Sequence, residues 1–413
     1  MIPFFCLAFL RIFMATATAN PPSYESYAAA IQGQALPLAY IDMDLLDANA
    51  EALCQRAGPY PLRLATKSLR CVYILRYLLK RYPGFRGLMA YSAAEAALLA
   101  EAGFNDILIA YPTMESRDIK ACLPAIQTGK RILFMVDHPD QLRLLQKHAE
   151  AALTTISVCV DLDLSTHFPL LHFGVFRSPL RQPKDLQPIV DTLRQCHLLQ
   201  LEGLMGYEGQ IAGLPDHLPG SRIYNLFVRF LKKISQKECF TRRAQTVEFL
   251  RKAGFRLGLV NGGGTGSVDV TRQDPSVTEI TVGSGLYAPT LFDHFKDFKY
   301  APAAGFVLPV VRQARPHIYA CSGGGYIASG PIHVDKQPQV FMPKGLTLFK
   351  MLGAGEVQTS LRSPDDLRLG QPIFFRHAKA GELMERFQTV HLLRGGKVDQ
   401  VVKTYRGEGW CFF

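Results

Sequence analysis

Eight short apolar runs in this chain each end in a polar or glycine-rich tip, and a stretch with helical spacing follows each of the first seven. The runs are LRLATK (62–67), GLMAY (87–91), DILIAYP (106–112), RILFMVD (131–137), SVCVDLD (157–163), LEGLMGYEG (201–209), RLGLVNGGG (256–264) and EITVGSGLY (279–287). Between them, segments such as AAEAALLAEAGF and HPDQLRLLQKHAEAAL place apolar residues on one helical face. Strands apolar on both faces and alternating with helices are parallel strands covered by helices. Eight of them predict a closed (β/α)8 TIM-like barrel, an α/β fold, with longer connections after the fifth and sixth runs. After residue 300 the rhythm gives way to short strands with Gly and Pro turns. The predicted organisation is an N-terminal extension (1–34), the barrel (35–299) and a C-terminal β-rich domain (300–413), joined by the segment before residue 40.

Barrel active sites sit at the C-terminal ends of the strands. The tips here carry Lys67, Tyr91, Tyr111, Asp137 with His138, Asp163, Tyr207 with Glu208, Asn261 to Gly264, and Gly283 to Tyr287. Any one of them alone is an ordinary capping residue; together on apolar strands they mark a site. The seventh tip, NGGGTGS, brings three consecutive glycines and then Thr265, Gly266 and Ser267 to a helix start, where backbone N–H groups converge on an anion. VGSGLY, the eighth tip, repeats the pattern beside it. Loops after strands seven and eight are the usual phosphate place in barrels. A dinucleotide-binding turn is the rival reading, but its glycines would open a β-α-β unit rather than come late in a barrel. A lysine on strand one facing a phosphate cradle points to pyridoxal 5'-phosphate. Lys67 would take it as a Schiff base, helped by an apolar pocket. The competing reading is a lysine snorkelling from a strand end.

These residues resemble the fold-type III pyridoxal-phosphate enzymes with an alanine racemase-like barrel. Within them they resemble the D-threonine aldolase and D-serine dehydratase branch, the metal-activated pyridoxal enzymes. The carriers are PLAYIDMDLLDANA, ATKS, GYEGQIAG, NGGGTGS and EITVGSGLY, across about residues 35–413. The resemblance implies that Lys67 binds the cofactor covalently, with Tyr207, Gly263, Gly264, Thr265, Gly266, Ser284, Gly285 and Tyr287 on the phosphate and cofactor. Alanine racemases carry an arginine in an Arg-x-Gly-Val motif; LHFGV puts His172 there. Where the aldolase branch has Tyr-x-Gly-His, YEGQ offers Gln210. The branch binds a divalent metal through a His-x-Cys or His-x-Asp pair, but FFRHAKAGELMERF gives His377 followed by Lys379. A charged lysine is no ligand for a hard cation. Either Glu382 or Glu385 completes the site, or Lys379 supplies the positive charge and no metal is needed; the second is the expectation.

The implied activity is a lyase acting on a β-hydroxy amino acid of D configuration, by retro-aldol cleavage or by dehydration. His377 is the candidate base, against a purely structural histidine, and Arg177, Arg376 and Lys379 are the candidate substrate-binding cations. An amino-acid racemase with Tyr326 as second base is the nearest alternative, and a non-catalytic cofactor carrier the more distant one. A homodimer is implied by resemblance.

The net charge of +11 sets no nucleic-acid footprint, because the basic residues are scattered. The densest group, Lys232, Lys233, Lys237, Arg242, Arg243, Arg251 and Lys252, reads as a solvated helix face. Nine dispersed cysteines without a C-x-x-C argue against a disulfide framework and for a reducing, cytoplasmic setting. The apolar start is broken by Arg11 and too short to span a bilayer. It reads as a weak targeting signal or an over-extended start, with Met14 opening a more ordinary beginning.

Overall fold

A computed structural model describes residues 22–331 and 333–412. The reading of the apolar start and of Met14 therefore lies outside the described residues. Eight parallel strands close into a barrel: Leu62–Ala65, Phe85–Ala90, Ile107–Ile109, Ile132–Val136, Ile156–Leu162, Leu199–Gly206, Leu259–Gly262 and Glu279–Val282. Closure comes where the eighth strand pairs with the first, through Ile280 with Leu62 and Val282 with Leu64. The strand tips named from the sequence therefore share one rim.

The barrel interior is layered. At its N-terminal end Arg63, 1 % exposed, is held by Glu279 at 2.6 Å and by Asp106 at 3.1 Å. Asn261 donates to Glu279 at 2.7 Å and to Thr281 at 2.8 Å, so the buried carboxylate is fully engaged. Above this lies an apolar layer of Leu108, Leu133, Met135, Cys159, Met205 and Leu259, with Met89 and Tyr207 packed against it. Strand one thus carries a plugging arginine at one end and Lys67 at the other.

A nine-stranded second sheet is assembled from both ends of the chain. Leu38–Asp42, which precedes the barrel, pairs antiparallel with Ala304–Arg315 and parallel with Thr389–Arg394. Ahead of it the helix Tyr24–Ala30 is capped by Ser23, and Tyr27 packs on Tyr40 and Phe374 at 5.4 Å each. The described part of the expected extension is therefore a packed element, held by its aromatic face.

On the long helix Arg222–Lys252, Lys233, Lys237, Arg251 and Lys252 do lie on a solvated face, but Lys232, Arg242 and Arg243 correct that reading. Arg243 is fully buried, pairing with Glu208 at 3.0 Å and with Asp274. Arg242 donates to the carbonyls of Asp163 and Ser165 at 2.9 Å each, and Lys232 pairs with Asp216 at 3.0 Å. Charge counting along a helix misses this because the acidic partners lie on other elements. No helix among the described residues is long and apolar enough to cross a membrane. No disulfide joins the described cysteines.

Candidate active site

Lys67 leaves the barrel on a single 3-10 turn, Thr66–Ser68, directly after strand one. Its side chain is exposed at the rim rather than sunk in an apolar pocket, which corrects the expectation of burial. The ammonium donates to the Tyr111 hydroxyl at 3.4 Å. Arg177 lies over the same ring at 4.7 Å and over the Tyr207 ring at 5.2 Å. Burial pushes the Tyr111 phenol up, but the Lys67 and Arg177 charges outweigh it and leave the phenol below its ordinary value. Tyr207 is pushed up to about 12, by burial first, against the pull of Arg177.

Beneath this cluster Asp161 is buried in the barrel interior. Burial raises its carboxyl to about 7; Arg177 pulls it down, while Asp137 and Asp163 push it further up. The sequence reading passed over Asp161, though the alternation in VCVDLD places Cys159, Asp161 and Asp163 on one strand face.

The glycine-rich tips form a seam with the Lys67 turn. Thr265 Oγ1 accepts from the Gly285 N–H at 3.1 Å and from the Gly283 N–H at 3.4 Å. Ser284 and Ser68 hydroxyls lie 3.3 Å apart, tying strand eight to the turn that carries Lys67. A Cβ on Gly266 would meet the Ala212 carbonyl at 2.1 Å, and one on Gly285 the Thr265 methyl at 2.7 Å. At Gly264 a Cβ would touch the Tyr207 ring at 3.4 Å, and Gly263 holds φ +81°. Side chains are excluded, so these tips present backbone, which suits a phosphate taken by N–H groups. Below the seam Glu208 accepts from the Gly263 N–H at 3.2 Å and pairs with Arg243, so the buried ion group shapes the cradle.

Other expected residues stand elsewhere. Tyr287 is wholly buried and donates to the Leu69 carbonyl at 3.1 Å, so its hydroxyl is spent on the fold rather than on an anion. His172 sits on the hairpin after strand five, Nδ1 3.0 Å from His167 and its ring stacked on Phe176 at 3.8 Å; the cation over Tyr111 is Arg177, five residues on. Gln210 donates to Leu164 O at 2.7 Å and to Ser235. Arg376 is locked by Asp293 through two bonds of 2.7 Å, which leaves it no free fork for a substrate carboxylate.

His377 belongs to a loop of the second sheet that folds back on the barrel. Its carbonyl accepts from the Thr290 N–H at 3.1 Å. Further along the loop, Gly381 presses on Lys67: a Cβ there would lie 1.9 Å from the Lys67 carbonyl. The imidazole is buried, with only a contact to the Ala304 backbone too poor in geometry to count as a full hydrogen bond, and burial, then the neighbouring Arg376, lowers it to about 3. Lys379 donates to Ser329 at 2.6 Å and pairs with Glu382 at 3.2 Å, while Glu385 pairs with Arg70 at 2.9 Å. A divalent metal does not fit this donor set, since both glutamates are already engaged by cations. No group of three or more His, Cys, Asp or Glu among the described residues is arranged to hold one.

The model of the alanine racemase N-terminal domain matches residues 41–289. The chain belongs to that family. Pyridoxal 5'-phosphate is the cofactor of the alanine racemase fold, and the polar rim and backbone cradle described above fit it. No curated protein sequence matches the chain. Among solved structures it is similar to D-threonine aldolase from Filomicrobium marinum, at 20 % identity and TM-score 0.76, covering 92 % of this chain and 96 % of that one. It is also similar to D-threo-3-hydroxyaspartate dehydratase from Delftia sp. HT23, at 20 % identity and TM-score 0.71, covering 90 % and 98 %. The alanine racemase of Clostridium difficile 630 superposes at TM-score 0.62 with 13 % identity over 90 % and 99 %. Family and fold together support a pyridoxal-phosphate enzyme.

Proposed function

We propose that this member of the alanine racemase family is a pyridoxal-phosphate lyase acting on a β-hydroxy amino acid of D configuration. The two structures first named above act on substrates of that kind, which supports the reading. The observation that carries it is His377: a buried, neutral imidazole on the loop whose Gly381 presses on the Lys67 turn.

Bound at the rim, the cofactor supplies an electron sink for charge developing at an amino acid Cα. Lys67 is the residue that holds it, and the tips at Gly263 to Gly266 and at Ser284 and Gly285 take its phosphate. Tyr207 packs against the Gly264 side of that cradle. Arg177 presents its guanidinium between Tyr111 and Tyr207, with Asp161 below it, and binds an anionic oxygen at the mouth. His377, kept unprotonated by burial, is the acceptor offered to the substrate β-hydroxyl, and it serves as its base once the bound substrate's own carboxylate stabilises the imidazolium. Lys379 keeps a positive charge near that hydroxyl without a metal. Loss of the hydroxyl proton favours Cα–Cβ cleavage to glycine and an aldehyde; loss of the Cα proton with the hydroxyl leaving as water gives an enamine, which water hydrolyses to a 2-oxo acid and ammonia. A homodimer in a cytoplasmic setting completes the proposal.

Incubating the cofactor-loaded protein with D-threonine, D-serine and alanine tests it. Aldehyde or oxo acid is the expected product. Inversion without either would replace the lyase with a racemase, for which Tyr326 is placed in the same cavity as His377. No turnover of any amino acid would leave a cofactor carrier.

A further inference from the structure

His377 lines a cavity of about 320 Å³ whose charge pattern its own role does not use. The cavity lies between the Lys67 turn, the second sheet and the C-terminal tail. Arg70, Lys379, Glu382, Glu385, Arg386 and Arg406 supply its charges. Both glutamates are spoken for: Glu382 by Lys379 and Ser329, Glu385 by Arg70. Arg386 and Arg406, both exposed, have no carboxylate partner among the described residues, and the buried Arg70 Nε has no acceptor. His377 adds a buried imidazole and no charge. Tyr326, Leu383 and Phe412 contribute apolar wall, which lowers the local dielectric and strengthens any ionic contact made there.

Among the described residues, two guanidiniums without a carboxylate partner and no unpaired carboxylate make the cavity selective for an anion. A guanidinium takes a carboxylate through two parallel N–H bonds, a geometry that an ammonium does not offer. The size suits a small molecule. The cavity is also fixed to the cofactor lysine: Arg70 lies three residues beyond Lys67, and the loop that forms one wall presses Gly381 onto the Lys67 carbonyl. We propose that this cavity receives a carboxylate carried on the side chain of the amino acid substrate, held by Arg386 and Arg406. The substrates of this chain are then acidic amino acids rather than neutral ones. The assignment rests on the reading of the protein as a pyridoxal-phosphate enzyme for amino acids.

The test is equilibrium binding of D-aspartate and D-alanine to the holoenzyme, followed by the visible spectrum of the cofactor, which needs no turnover. The wild-type protein should favour D-aspartate by about tenfold or more, the worth of one charge-assisted contact. Arg386→Gln and Arg406→Gln should each bring that preference ratio towards one, and the Arg→Lys variants should recover part of it. Equal binding of the two amino acids, or a ratio unmoved in both Gln variants with unchanged melting temperature, overturns the assignment. Succinate separates the sources of the carboxylate. Competition with D-aspartate that weakens in the Gln variants supports a side-chain subsite; succinate bound without displacing D-aspartate marks a free-anion site and overturns it. If the preference holds while no amino acid is turned over, the lyase reading fails and the cavity assignment stands. Turnover without the preference has the opposite meaning.

Discussion

The ammonium of Lys67 donates to the Tyr111 hydroxyl across 3.4 Å, so the tips of the first and third barrel strands meet at the rim. Arg177 also lies over the Tyr111 ring, so two cations share one tyrosine. Lys67→Ala should abolish the visible absorbance of protein-bound cofactor. Tyr111→Phe should retain it and lower turnover about five- to tenfold, the loss of one hydrogen bond to a charged group. Absorption spectra and steady-state rates on the same preparations check both.

Gly381 is the contact through which the second sheet reaches the Lys67 turn. With φ +83° and only 1.9 Å between a hypothetical Cβ and the Lys67 carbonyl, Gly381→Ala strains the backbone and pushes the loop away. A stability loss of about 2–4 kcal/mol is expected, together with weaker cofactor retention. Urea denaturation and a cofactor titration measure the two effects; a variant as stable and as well loaded as the parent would refute the contact.

Arg243 is buried between Glu208 and Asp274, and Glu208 in turn receives the Gly263 N–H of the cradle. Arg243→Met strands two carboxylates in the interior and should cost about 3–5 kcal/mol. Exposed Arg251, paired only with Glu248 on its own helix, should cost less than about 1 kcal/mol when replaced by Met. The difference in denaturation midpoints reads the contrast directly.

Asp161 and Glu95 are two buried carboxyls raised to about 7 chiefly by burial. A carboxyl whose native value stands above its unfolded one binds a proton on folding. Its contribution is therefore greatest below about pH 4 and is lost as pH rises to about 7. The cofactor-free protein should lose stability across that interval, and Asp161→Asn and Glu95→Gln should each flatten the slope. Glu95 also accepts from the Tyr405 hydroxyl at 2.9 Å, so its variant should loosen the C-terminal tail. Denaturation midpoints at several pH values, with hydrogen exchange over the tail, distinguish the two residues.

The barrel was legible because its signal is repetitive. Most of the strands are buried on both faces and the others are at least partly buried along most of their length, so each reads as a short apolar run, and all eight did. The cradle was legible for a related reason: glycine has few other reasons to recur at two adjacent strand tips. Single side chains were less so. Tyr287 stands two residues beyond Gly285 of the cradle, yet its ring turns into the core and its hydroxyl goes to Leu69. Arg376 looked available for a carboxylate until Asp293, from a connection far back in the chain, took both its terminal nitrogens. Arg177, offered for substrate, stands over the two tyrosines at the mouth, a placement its sequence neighbours gave no sign of.

Periodicity and local composition alone determined the barrel, the address of Lys67 on its first strand and the glycine tips opposite it, because those features follow from neighbours in sequence. Which charges remain unpaired was decided only by the tertiary structure. Lys379 meets Ser329 and Glu382 through folding of its loop, Glu385 reaches back to Arg70, and Arg386 and Arg406, from two turns far apart in sequence, line one cavity with no carboxylate partner among the described residues. Ion pairing acts through space over a few ångströms, and a chain read in order carries no record of that distance.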